Sequence, residues 1–171
     1  MPKITKPLRY SRKDRQQNHK NLACVNKFKA LDLDASTTAM DAADLRDLAR
    51  DWWNVIGQRL YANNLPIPEI IVEDAIIEPD GTVLFGCTDI PGEKDEDQTI
   101  VVHLSMKVCS NMRLFVGTIM HEACHVAAAY LFGEEDQTQC PNNGPQFRAN
   151  VEVMHHRFGI TEPHFIDTTR Q

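Results

Sequence analysis

The sequence predicts an α+β domain in which one long helix precedes a small sheet and two further helices follow it. Three observations carry this. Apolar residues recur at helical spacing between about 38 and 62 and again after Ser110. Short runs rich in β-branched residues lie between them. Pro, Gly and Asn punctuate every junction. With 171 residues and a 42% hydrophobic fraction, the chain has material for one core and one main domain.

The first predicted helix spans about 38–62. Ser36, Thr37 and Thr38 offer N-cap oxygens, and Asp41 and Asp44 suit the first turn. Leu45, Leu48, Trp52, Val55, Ile56 and Leu60 form its buried face, with Trp52 in the core and Trp53 half-exposed beside it. "ANNLPIP" ends it, because Pro66 and Pro68 forbid continuation. "EIIVED" and "TVLFGC" follow as strand candidates around the turn "EPDG". "PGEKDEDQ" reads as a solvated loop and "TIVVHLS" as a third strand.

The second helix is predicted over about 112–132, with Met112, Phe115, Val116, Ile119, Met120, Ala123 and Ala127 on a broad apolar surface and Gly133 as its stop. "EEDQTQCPNNG" is a polar loop. The last helix starts near Pro145, lines Phe147, Val151, Met154 and Phe158 along one face, and ends at Gly159.

Net charge is −6, unevenly spread. Residues 1–30 carry nine Lys/Arg against one acid, Asp14, while the rest carries nine against 23. Residues 1–35 therefore read as a basic, flexible arm and 36–171 as an acidic domain. The arm has two readings: a polar leader docked on the acidic body, or a phosphate-contacting arm for nucleic acid. Cys24, Cys87, Cys109, Cys124 and Cys140 include no CxxC pair, which argues against a disulfide framework and for ordinary buried thiols. No apolar leader is evident, and unbroken apolar runs fall far short of a membrane span, so an intracellular, cytoplasmic or nuclear, monomer without membrane contact is expected.

The chemistry lies in "GTIMHEACHVAAAYLFG". Residues four apart stack on one helix face, so His121 and His125 can present imidazole nitrogens to one ion. Zinc accepts such ligands. Glu122 is rotated by about 100° and can flank the ion without ligating it. This is the H-E-x-x-H pattern of metalloproteases. It points to water, activated by Zn2+, attacking a peptide carbonyl with Glu122 as general base. "TIVVHLS" is expected to supply the sheet edge against which an extended protein or peptide substrate pairs.

The stretch from His103 onward resembles the SprT-like/Spartan metalloprotease family. "VVHLSMKV" is similar to the family's strand, "GTIMHEACHVAAAYLFG" to its active-site helix, and "NGPQFRANVEVMHHRFGI" to its His-Gly-Pro-x-Phe segment and next helix. "WWNVIGQRLYANNLPIPEIIV" and "VLFGCT" resemble its preceding helix and Gly-containing hairpin more loosely, so the likeness covers about residues 45–160. The resemblance implies a minimal zincin-like domain and zinc-dependent proteolysis. Its best-known members cleave proteins crosslinked to DNA, as a DNA repair function, and are switched on by DNA. It gives His121 and His125 the ligand roles, Glu122 the catalytic role, and Gly144, Pro145 and Phe147 the segment after the third ligand.

The family's third histidine aligns with Asn143, 18 positions after His125. An amide oxygen is a poor zinc ligand. Three outcomes follow: Asn143 ligates weakly or through water; or a neighbour replaces it, Cys140 being a strong ligand as thiolate and Glu134, Glu135 and Asp136 less favoured. The remaining outcome is loss of the metal, which leaves a weak or inactive module that binds protein or DNA. His155, His156 and Glu152 lie far along the last helix, the first two by roughly 15 Å, and read as surface or packing residues. His103 and His164 read as ordinary polar residues, His103 lining the cleft if its strand edges it.

Overall fold

The computed structural model describes residues 32–92, 95–107, 109–134 and 144–158. Residues 1–31 of the basic arm, with Cys24, and Glu135, Asp136, Cys140, Asn143 and His164 lie outside the described residues, whereas Leu33 and Ala35, at the end of the predicted arm, accept from the Arg113 and Met112 amides. The fold is mixed α+β. In chain order it has α1 (Ala42–Tyr61), β1 (Glu69–Glu73), β2 (Ile76–Ile77), β3 (Val83–Leu84), β4 (Gly86–Asp89), β5 (Val101–Ser105), α2 (Met112–Phe132) and α3 (Pro145–Phe158).

The helix α1 starts later than its sequence suggests. Its N-cap is Asp41, whose side chain accepts from the Asp44 amide. Ser36 and Thr37 are instead engaged across the chain. Ser36 bridges to Asn111, the Thr37 amide donates to the Ser110 carbonyl, and the Thr37 hydroxyl donates to the Cys109 carbonyl. Those contacts staple the segment to the entrance of α2. Trp53 is also buried, not half-exposed, at 1% exposure, and its indole N–H donates to the Pro66 carbonyl over 2.9 Å. Burying a side chain of this size contributes roughly 1.5–3 kcal/mol or more, and the hydrogen bond removes the cost of its polar atom.

The main sheet has the order β1-β5-β4, with β1 and β5 parallel and β4 antiparallel to β5. The predicted strand "EIIVED" does not pair with "TVLFGC". The second stretch is split between two sheets at Phe85: β3 closes a two-stranded hairpin with β2, and β4 joins β5. Gly81, at φ +88°, makes the hairpin turn that the Pro-Asp-Gly chemistry predicts. Strand alternation sends Ile70, Val102 and Leu104 into the core. It leaves Glu73 and His103 on the other face, where the His103 ring bridges Glu73 on β1 and Asp89 on β4.

The centre of the domain is α2, which packs against the sheet, α1 and α3. Asn111 caps its start by accepting from the Leu114 amide at 2.9 Å, and Gly133, at φ 65°, ends it as predicted. By length and mean hydropathy α2 could cross a membrane, although His121 and Glu122 interrupt its apolar run. Of its most apolar window, 72% is buried inside the domain, as expected of a core helix. The buried face of α3 is Phe147, Asn150, Val151 and Met154.

Candidate metal centre

The predicted trio sits in the middle of α2, and His121 and Glu122 are each only 3% exposed. The two histidines behave as the i, i+4 spacing requires. Their Nε2 atoms approach to 3.1 Å, with ring centroids 4.8 Å apart and planes at 72°. Two nitrogens each about 2.0–2.1 Å from one tetrahedral zinc would lie about 3.3 Å apart. The pair therefore fits a zinc ion. Burial, and secondarily the neighbouring His121, push the pKa of His125 down to about 3, which keeps its imidazole neutral at neutral pH.

Glu122 points to a different element. Its Oε2 accepts a 2.7 Å hydrogen bond from the Thr88 hydroxyl on β4. Its Oε1 lies beside Gly86, where an added Cβ would come within 3.1 Å of it. The same Cβ would lie 2.7 Å from Thr118 Cγ2 and 2.9 Å from the His103 carbonyl oxygen, so no side chain fits between β4 and α2. Burial raises the Glu122 pKa to about 7, and the Thr88 hydrogen bond opposes that rise.

The far side of the histidine pair is closed by α3. The Phe147 ring lies 4.9 Å from the His121 ring at 68° and 4.4 Å from the His125 ring at 34°. Phe147 is itself 1% exposed.

The structure separates the other candidates. Glu134 does not turn to the histidines. Its two carboxylate oxygens accept from the Gln146 and Phe147 amides at 3.1 and 3.0 Å, so it caps α3. Glu152 and His156 line a cavity of about 460 Å³ between α1 and α3 with Arg59, Leu60, Val153 and Arg157. His155 is half-buried on the same helix. His103 bridges carboxylates on its two neighbouring strands. Its strand β5 is the central strand of the sheet, between β1 and β4, so it is not the sheet edge that the sequence suggests. Among the described residues no group of three or more His, Cys, Asp or Glu gathers around a common point. Both favoured third ligands, Asn143 and Cys140, fall outside the described residues.

Cys87, Cys109 and Cys124, the cysteines among the described residues, are free thiols, and Cys109 and Cys124 are buried. Cys124, inside the motif, faces Met154 at 3.8 Å, and burial holds its thiol well above the usual range, so it is packing and not a nucleophile. Sequence reasoning missed Thr88 as a partner of Glu122, because a hydroxyl directly after the strand candidate "TVLFGC" gives no signal. It named Phe147 only as part of a segment. No family model, curated protein or solved structure matches the chain.

Proposed function

We propose that this chain is a zinc-dependent endopeptidase of the SprT-like class on a minimal zincin-like domain. The observation that carries the reading is the convergence of the His121 and His125 Nε2 atoms to 3.1 Å on the face of a buried helix. A zinc ion held there would polarise a substrate carbonyl and lower the pKa of water. The chain's own residues have distinct tasks. His121 and His125 would hold the ion through their Nε2 atoms. Glu122 takes a proton from the attacking water at its carboxylate and passes it to the departing amine. Thr88 fixes one of its oxygens, so the other is the one that moves the proton. As an edge strand, β4 offers main-chain donors and acceptors to an extended peptide beside Glu122. The +8 arm, with the family resemblance, supports DNA-associated or DNA-crosslinked proteins as substrates, the arm making phosphate contacts.

The test is metal content with activity. Purified full-length protein is expected to carry about one zinc, and Glu122→Gln to keep the metal and lose cleavage of casein, histone or the chain itself. Equal cleavage by the wild type and Glu122→Gln would refute the mechanism.

A second reading is favoured by Asn143 and by the burial of Glu122: a weak or inactive relative that binds protein or DNA. It expects little zinc and no turnover in the wild type, with both gained in Asn143→His. Strong wild-type turnover would overturn it.

A further inference from the structure

We infer that Phe147 is a positioning residue whose ring sets the orientation of both imidazoles before an ion arrives, and that α3 is anchored on either side of it for this purpose. The inference rests on the metal-site reading above.

A histidine on a helix has several staggered χ1 states and a broad, two-fold χ2, so either ring nitrogen can face a given direction. Turning two Nε2 atoms to one point therefore costs side-chain entropy unless neighbours have already fixed the rings. One ring touches both imidazoles here. Phe147 meets His121 nearly edge-on, at 68° and 4.9 Å, and meets His125 tilted, at 34° and 4.4 Å. Rotation of either imidazole about its χ2 would drive it into this ring.

Phe147 is held at its own backbone and one turn further on. Its amide donates to Glu134 Oε2 at 3.0 Å, directly after the Gly133 cap of α2. Three residues later, Asn150 Oδ1 accepts from the Tyr61 hydroxyl at 2.6 Å. The Asn150 side-chain amide in turn donates to the Gln146 carbonyl at 2.7 Å. Tyr61 is the last residue of α1. The ring is thus braced from the end of α2 and from the end of α1, which a phenylalanine needed only to fill volume does not require.

The test uses the full chain, Zn2+ in competition with a chromophoric chelator, and nitrogen-15 spectra of the histidine rings in metal-free protein. Phe147→Leu is expected to weaken Zn2+ binding by about 10- to 100-fold, the range for partners that orient a ligand. Its His121 and His125 signals should shift towards averaged values. Phe115→Leu is the control for core damage, since Phe115 is 0% exposed on α2, the helix of the two histidines, and makes no ring contact with either of them among the described residues. It should leave affinity within about threefold, the scatter allowed to an uncoupled site. Tyr61→Phe removes only the brace and should weaken binding by about 3- to 10-fold, as loss of one hydrogen bond does. It serves where Phe147→Leu does not fold.

Equal losses in the Phe147 and Phe115 variants, or unchanged ring signals in both Phe147→Leu and Tyr61→Phe, would overturn the inference. A wild type that binds no Zn2+ would refute the metal-site reading instead. The ring spectra then decide the role of Phe147 alone.

Discussion

Replacing Thr88 with valine tests the account of Glu122 in one step. The two side chains have nearly the same shape, so the change removes a hydroxyl and leaves packing almost intact. Thr88 donates to a carboxylate oxygen of a residue that is 3% exposed. A hydrogen bond to an ionised partner contributes about 1.5–3 kcal/mol. At roughly 2–4 °C per kcal/mol for a chain of this size, the melting temperature should fall by about 3–12 °C. The effect should depend on pH with a definite sign. Glu122 has its folded pKa raised to about 7, above the unfolded carboxylate value, so the native state holds the extra proton between the two. Its burial therefore weighs against the fold as pH rises through that window, and Thr88 relieves part of this by favouring the ionised form. Removing the hydroxyl raises the folded pKa further. The penalty should be small at pH 5, where the group is protonated in the fold, and largest above pH 8. Urea unfolding of metal-free wild type and Thr88→Val at both pH values measures it. A penalty of equal size at both, or none at either, would show that the hydroxyl does not bear on the Glu122 charge.

Two further outcomes follow from the same contacts. Gly86→Ala puts a Cβ 2.7 Å from Thr118 Cγ2 and 2.9 Å from the His103 carbonyl, so β4 must move away from α2; thermal unfolding should show a loss of about 1–3 kcal/mol, and cleavage should fall with it because Glu122 lies on that contact. Glu134→Ala leaves the Gln146 and Phe147 amides without their cap and should cost about 1–2 kcal/mol by urea unfolding, whereas Glu134→Gln, which keeps one acceptor oxygen, should cost less.

The sequence displayed the helical part of the fold because helices are written locally. The limits of α2 and α3 follow from an apolar stripe, a stopping glycine and an N1 proline within a few residues of one another. The start of α1 was misread because Ser36 and Thr37 are good caps in isolation, and only their long-range bonds to Cys109 and Ser110 show that they are committed elsewhere. The strands were misread for a related reason. "TVLFGC" looks continuous, yet Gly86 must press on α2, and that contact moves the chain from one sheet to another. The edge role given to β5 failed likewise, since its position between β1 and β4 depends on pairings over 12 to 32 residues that a local pattern does not contain. In the site, the motif made His121, Glu122 and His125 legible at once. Thr88 and Phe147 were invisible as partners because their roles exist only across elements.

The helix alone supplies two imidazoles and a carboxylate, and none of the three is directed by α2 itself. From one side, β4 takes hold of Glu122 through Thr88 and Gly86. From the other, α3 takes hold of the histidines through Phe147. The two clamps act on residues roughly 60–100° apart around the helix and reach them from different elements, so neither can substitute for the other. The second clamp is itself tied to the end of α2, because Glu134 is bonded to the Gln146 and Phe147 amides. On the proposed reading, loosening the second clamp should weaken zinc binding at the histidine pair, while loosening the first should alter Glu122 and leave zinc affinity almost unchanged. Metal affinity and proton transfer should then be separable by mutation, through Phe147 and Thr88 respectively. If Thr88→Val weakened Zn2+ binding as much as Phe147→Leu does, the two-clamp description of the site would have to be abandoned.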